Sequence, residues 1–375
     1  MVQLDLLRGC AILLVLVHHS FSLDLPQPAL EELQVFTPLI RMGDIGVPIF
    51  FVLSGYLIGG LMLKEASETG KLDPVRFLFR RAFKIYPPFY AVIIVYSAYL
   101  ILFENGMDLE RLLREIFFLQ NYGAGGLIDV SWSLAVEEHF YLSFAAIAFL
   151  MVSRSRPVDN AFGIVFATKA FRLLPWLALS LMLVTWIWRC TEFLPMSDSE
   201  IAKRTPTLET HFRIDALFAG AALAWFQVAR PRPGWIDRYQ PVFLLAAITI
   251  LGLSALPSGI FPHQIRKTHY LVLLTGASAT VLWVLLGHTV KNRPLWRVLG
   301  LIGRHSYCIY LVHIPAYRLL NRLLGGPPDQ CPTLIYVALA WLTAIFAGIC
   351  MTKAIEEPAL QLREHWFPRR SSISS

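Results

Sequence analysis

The chain has 375 residues, 56% of them hydrophobic and only 16% charged, with a formal net charge of +7. A water-soluble domain carries about 25% charged residues, so that class is excluded, and the basic excess reads as a topology signal rather than a nucleic-acid footprint. The apolar residues come in blocks of the length a helix needs to cross a bilayer, about 20 residues, so the expected fold is all-α: a polytopic transmembrane helical bundle with no separate soluble domain.

The first block, 5–25, includes "LDLLRGCAILLVLVHHS". No basic stretch precedes its apolar run and no small-residue cleavage site follows, so it reads as a retained span rather than a signal peptide. Further spans are expected at 44–63, 86–103, 132–152, 172–189, 211–229, 241–257, 269–288, 305–323 and 332–352, ten in all. The stretch "LERLLREIFFLQ", 109–120, is apolar but short and charged, and reads as an interfacial helix. An even count puts both termini on one side. With the N-terminus inside, the cytoplasmic segments hold 22 of the 33 Lys and Arg, which places both termini in the cytoplasm and the chain in the cell (inner) membrane. The expected division is a transmembrane domain over 1–355 and a short cytoplasmic tail over 356–375. The five cysteines form no C-x-x-C pair, which argues against a disulfide framework and against a zinc site; no metal is expected.

Polar residues break the apolar rule in four places. At 100° per residue, Arg8 and His19 share one helix face, about 16 Å apart along the axis. Asp5 lies less closely on that stripe, and His18 points about 100° away. An ionisable group inside a span is costly and therefore a functional candidate. Neutral imidazole can act as a general base near neutral pH. The alternative is a helix-packing histidine bonded to a neighbouring carbonyl. His18 fits that alternative, and for His19 the stripe leaves both readings open. "SWSLAVEEHFYL" puts Glu137, Glu138 and His139 at the outer head of the fourth span, and "HFRIDALFAG" puts Arg213 and Asp215 at that of the sixth. "GRHSYCIYLVHIP" places His305 and His313 in the ninth. A buried charge needs a partner, and Glu137 with Arg213 is a plausible pair, although such pairs can simply pin helices together.

"RFLFRRAFKIYPPFY" gathers Arg76, Arg80, Arg81 and Lys84 on the cytoplasmic side. Positive-inside bias contributes to this cluster. The same four cations also make an anion site suited to the phosphates of a nucleotide-like donor. The chain has no P-loop and no G-x-G-x-x-G, so ATP hydrolysis and dinucleotide redox chemistry have no support.

In order, these segments resemble the acyltransferase 3 family of integral membrane acyltransferases. The first block resembles the family's Arg or Lys followed ten residues later by His, which selects Arg8 and His19. "GDIGVPIFFVLSGYLIG" resembles its second-span pattern, "RRAFKIYPPFY" its R-x-x-R then I-x-P, and "SWSLAVEEHFYL" its W-S-L-x-x-E, aligning Glu137. "FRIDALFAG" resembles its R-x-D segment, "GRHSYCIYLVHIP" its S-Y-x-x-Y-L-x-H, aligning His313, and "IEEPAL" its terminal E-x-P. Two positions depart: Lys84 replaces the second Arg of R-x-x-R, losing the bidentate fork, and Pro48 replaces an acidic residue often found after G-V. The resemblance implies an O-acyltransferase with no bound cofactor, using cytosolic acyl-CoA, most often acetyl-CoA, as donor. The acceptor would be a hydroxyl, often on a sugar of a surface glycan. Some members carry an added extracytoplasmic hydrolase-like domain, for which 375 residues leave no room. On this reading His19 and Glu137 are catalytic, and Arg8, Arg81 and Lys84 bind the donor. Asp5, Arg213, Asp215 and His313 bind the acceptor or support the site. The alternative from another class is a polytopic transporter or flippase with His19 as a proton relay.

Overall fold

The computed structural model describes residues 2–23, 25–104, 106–123, 125–154, 169–203, 208–229, 234–257, 260–288, 293–326 and 332–368. Among them every regular element is helical and no strand occurs. In chain order the helices are α1 (Val2–His18), α2 (Gln27–Gln34), α3 (Thr37–Met42), α4 (Gly46–Thr69), α5 (Pro74–Phe103), α6 (Leu109–Ile116) and α7 (Trp132–Ser153). Then follow α8 (Leu174–Phe193), α9 (Asp198–Lys203), α10 (Asp215–Ala229), α11 (Gly234–Gly252), α12 (His263–Lys267) and α13 (His269–Leu286). The last are α14 (Pro294–Arg304), α15 (Ser306–Leu324), α16 (Thr333–Met351) and α17 (Glu357–Trp366). Helices dominate because backbone polar groups in hydrocarbon must be satisfied within the segment.

Each of the ten expected blocks is helical, and eight helical stretches are long and apolar enough to cross a membrane. The other two differ for physical reasons. α10 is a shorter apolar helix, Asp215–Ala229, entered through a 3-10 turn at Thr210–Phe212. It is buried along most of its length against protein rather than lipid. α15 has 19 residues but carries His313, Arg318, Asn321 and Arg322. The protein is therefore a multi-pass membrane bundle, with Ile94, Val95, Leu102, Trp176 and Phe346 among the large apolar side chains left on its outside. The 109–120 stretch yields α6, eight residues long and capped by Asp108, whose carboxylate accepts from the Glu110 and Arg111 N–H groups. At 1.5 Å per residue it cannot cross a bilayer.

Small residues let the central helices meet closely. Gly55 and Gly59 on α4 face Leu217 and Ala221 on α10, and Gly220 faces the Val52 carbonyl; a Cβ on any of them would strike the opposing backbone. Gly9 on α1 and Gly303 on α14 meet the carbonyls of Leu299 and Asp5 in the same manner. These contacts fix α1, which carries Arg8 and leads directly into the turn that holds His19, against its neighbours. Near the C-terminus, the expected 355/356 boundary falls inside continuous helix: α16 passes through a π-helical segment, Thr352–Glu356, into α17. α17 folds against α5 rather than trailing free. Arg80 pairs with Glu364 at 2.9 Å, Phe79 stacks on Phe367, and Arg76 and Arg80 donate to the Pro368 and Phe367 carbonyls. Residues 369–375 lie outside the described residues.

Candidate active site

Three of the cavities among the described residues hold the candidate side chains. The end at which α1 begins is called the near face and the opposite end the far face. The near cavity, about 1080 Å³ with its open mouth, is lined by Lys64, Glu65, Glu68, Arg76, Arg80, Arg81 and Arg363. Arg81 also lines the core cavity of about 900 Å³. There α1 contributes Arg8, α5 contributes Arg81 and Lys84, and α7 contributes Glu137 and Tyr141. The far cavity, about 1910 Å³, receives His18 and His19 from the end of α1, together with Trp132 and Arg213. Val47 and Tyr310 line both the core and the far cavities and form the wall between them.

The core cavity is cationic, with its charges held in place. Arg8 pairs with Asp5 at 3.1 Å. The Arg81 guanidinium lies over the Tyr141 ring, 5.4 Å from its centroid. The Tyr141 hydroxyl donates to Glu137 and accepts from Ser54 Oγ at 2.8 Å, so the carboxylate is oriented by a hydroxyl chain from α4. Lys84 Nζ lies 4.0 Å from Glu356 Oε1 in the π-helical segment, and Cys308 Sγ donates to the other oxygen of Glu356 at 3.2 Å. A π-bulge often marks a functional position, and this one brings the Glu of the E-x-P motif to Lys84. Of the four cations in the 76–84 cluster, Arg76 and Arg80 are engaged by the α17 region, whereas Arg81 and Lys84 reach the core.

At the far end, His19 lies in the 3-10 turn that follows α1, and its Nδ1 donates to the Val15 carbonyl at 2.9 Å. A carbonyl only accepts, so Nδ1 carries the ring proton and, in neutral imidazole, Nε2 holds the lone pair. His18 Nδ1 donates to the Ile40 carbonyl at 3.1 Å, a bond that ties α1 to α3. The His313 ring lies 4.9 Å from that of His19 and is fully buried. His313 Nδ1 donates to the Tyr310 carbonyl at 2.7 Å, and among the described residues its Nε2 has no hydrogen-bond partner.

The sequence-predicted residues thus separate into groups. Arg8, Arg81, Lys84 and Glu137 meet in the core cavity, while His19 and Arg213 line the far one. Asp5 and His313 line neither and support a lining neighbour each. The expected Glu137–Arg213 pair is not formed. Glu137 is turned into the core cavity by Tyr141, and Arg213 lies over the Trp132 ring at 5.4 Å beside the other cavity. Asp215 pairs instead with Arg189 of α8 at 2.8 Å, both fully buried, and Arg189 also donates to the Phe212 carbonyl at 2.9 Å. Arg189 is legible in retrospect as a lone cation in "LVTWIWRCTEF", which demands a buried carboxylate somewhere. Glu115 of α6 was also missed. It is fully buried behind Gly126, accepts from the Leu127 N–H at 3.0 Å, and burial pushes its carboxyl up to about 7.

Helices of this arrangement, with polar groups drawn into two cavities inside an apolar bundle, define a multi-pass membrane protein that works within the bilayer. The acyltransferase domain that characterises the acyltransferase 3 family matches residues 1–352, and the chain belongs to that family. Its relatives include the O-acetyltransferase OatA of Staphylococcus aureus, 24% identical over 383 residues that cover 95% of this chain and 56% of that protein. The peptidoglycan O-acetyltransferase OatA of Listeria monocytogenes is 26% identical over 367 residues, covering 91% of this chain and 53% of that protein. The chain spans a little over half the length of these curated relatives. No solved structure matches it.

Proposed function

We propose that this protein moves an acyl group, acetyl in the first instance, from cytosolic acyl-CoA to a hydroxyl of an extracytoplasmic acceptor, a sugar of a surface glycan. The observation that carries this reading is the pair of neighbouring cavities, cationic in the core and histidine-bearing beyond, that share Val47 and Tyr310 in their linings. The near face is taken as cytoplasmic, in line with the Lys and Arg bias and with both termini inside. Donor phosphates would lie against Arg363 and Arg81 at the near cavity. The pantetheine arm would run past Arg8, Lys84 and Glu137 and present the thioester at the Val47–Tyr310 wall. The OatA relatives, acetyltransferases by name and one of them a peptidoglycan enzyme, support acetyl as the group and a glycan as the acceptor.

In the direct route, His19 Nε2 takes the proton of the acceptor hydroxyl as its oxygen attacks the thioester carbonyl. The new C–O bond forms, the C–S bond breaks, and the CoA thiolate leaves to be protonated from solvent. In the relay route Nε2 itself attacks and an acyl-imidazole passes the group on. Both routes need Nδ1 protonated and the lone pair on Nε2, the tautomer that the Val15 bond favours. Glu137 is assigned to the donor side, orienting Arg81 and Lys84 across the core cavity. The test uses purified protein with radiolabelled acetyl-CoA and an envelope glycan extract, wild type against His19→Ala. CoA release that requires both His19 and the extract supports the reading. Release unaffected by His19→Ala sinks the assignment of the base. No release under any condition turns the argument to proton-coupled transport.

A further inference from the structure

We propose, resting on the acyl-transfer reading above, that the far cavity selects an anionic acceptor: a saccharide carrying a carboxylate or phosphate close to the hydroxyl that is acylated. Its lining brings Arg111 from α6, Arg213 from the turn before α10, and Arg266 and Lys267 from α12 around the space that His19 enters. Among the described residues Asp129 is the one carboxylate in that lining, and it faces Arg318 at 3.8 Å. Four cations from three separate stretches of chain therefore converge on one cavity.

Topology does not account for them. Positive-inside bias concentrates Lys and Arg at the cytoplasmic face, and on the layout above these four lie at the other face. Structural pairing does not account for Arg266 either. Its Nη2 donates to the Leu256 carbonyl at 2.9 Å and, at a longer 3.5 Å, to the Ser254 carbonyl. Carbonyls aim a guanidinium without neutralising it, and among the described residues Arg266 has no carboxylate partner. A guanidinium held this way beside a cavity is set for bidentate capture of a carboxylate or phosphate. The Arg111–Asp108 pair is exposed at 3.5 Å, a contact that water and salt largely screen. Trp132 and Tyr270 add flat aromatic faces on which a sugar ring can stack. A cleft lined by one sign of charge raises the local concentration of the opposite ion and speeds its capture.

The experiment fractionates the envelope glycan of the organism that carries this chain on an anion exchanger. Each fraction is assayed with the full chain in detergent and labelled acetyl-CoA. The acceptor activity is expected to bind the column and elute with salt. Carboxyl reduction of the active fraction, in one arm, or hydrofluoric-acid removal of its phosphates, in the other, should lower transfer at least tenfold and identify which anion is read. Arg266→Gln should raise KM for the active fraction about tenfold with kcat within twofold, and Arg266→Lys should recover part of the loss. Acceptor activity in the column flow-through, undiminished by both treatments, would overturn the inference while leaving acyl transfer standing. Acetyl-CoA that is never consumed in any fraction would overturn the acyl-transfer reading and this inference with it.

Discussion

The core and far cavities share α1, α4, α7 and α15 yet are chemically unlike. The core cavity takes Arg8 from α1, Arg81 and Lys84 from α5 and Arg304 from the end of α14, and three of these have a named partner: Asp5 for Arg8, the Tyr141 ring for Arg81, Glu356 for Lys84. The far cavity takes His18 and His19 from the end of α1 and the turn that follows it, and His263 and much of its charge from α6 and α12, short elements between the spans. A rigid, pre-paired cation set suits one invariant ligand. A wider cavity edged by short connecting helices suits a ligand that differs from one protein to another. On the proposed reading the donor end is formed by transmembrane helices and the acceptor end in large part by what lies between them.

The comparison is broken or sharpened by changing one end at a time. His19→Ala should reduce transfer by about 10³-fold or more, since general-base or nucleophilic help of about 10²–10⁴ is lost, while acetyl-CoA still binds; this is read as CoA release against binding. Arg189→Met leaves Asp215 buried without its partner and should cost roughly 3–5 kcal/mol of stability, seen as a lower thermal midpoint in detergent before any kinetic effect is interpreted. Arg81→Ala or Lys84→Met should raise KM for acyl-CoA about tenfold to a hundredfold with acceptor KM unchanged, consistent with charge-assisted contacts worth about 1.5–3 kcal/mol each. His18→Ala removes the bond to Ile40 and the ring contact with His19 and should retain activity within about tenfold; a dead but folded variant would name the wrong imidazole. The smallest effect concerns Glu115. Its folded value near 7 lies above the ordinary 4.5 because of burial, so the native state holds a proton that the unfolded chain releases between those pH values. Stability should therefore fall as pH rises from 4.5 to 7 and level off above, by about 3 kcal/mol at most. Glu115→Gln should flatten that slope in thermal unfolding at pH 5.5 and pH 8.

The sequence made the bundle legible because hydrocarbon imposes a simple rule, long apolar helices, and α1, α4, α5 and α7 obey it. It was less clear for α10 and α15, whose neighbours supply the apolar surroundings that a lone span must supply itself. Helical periodicity put Arg8 and His19 on one stripe; Arg8 lines the core cavity and His19 the far one, where His18 lines it too. Periodicity could not say that Glu137 turns toward Arg81 rather than Arg213, because that choice depends on Tyr141 and Ser54, one turn along α7 and one helix away. Nor could it bring Glu356 to Lys84, 272 positions apart, since that contact depends on the π-helical segment at Thr352–Glu356.

The central claim is that donor and acceptor occupy different cavities that meet at one wall. The most direct measurement is the affinity of acetyl-CoA for the wild type, His19→Ala and the Arg81→Ala/Lys84→Met double variant, by titration in detergent. The account predicts wild-type affinity for His19→Ala and a loss of tenfold or more for the double variant. Affinity lost with His19 and kept without Arg81 and Lys84 would put the donor in the far cavity and contradict it.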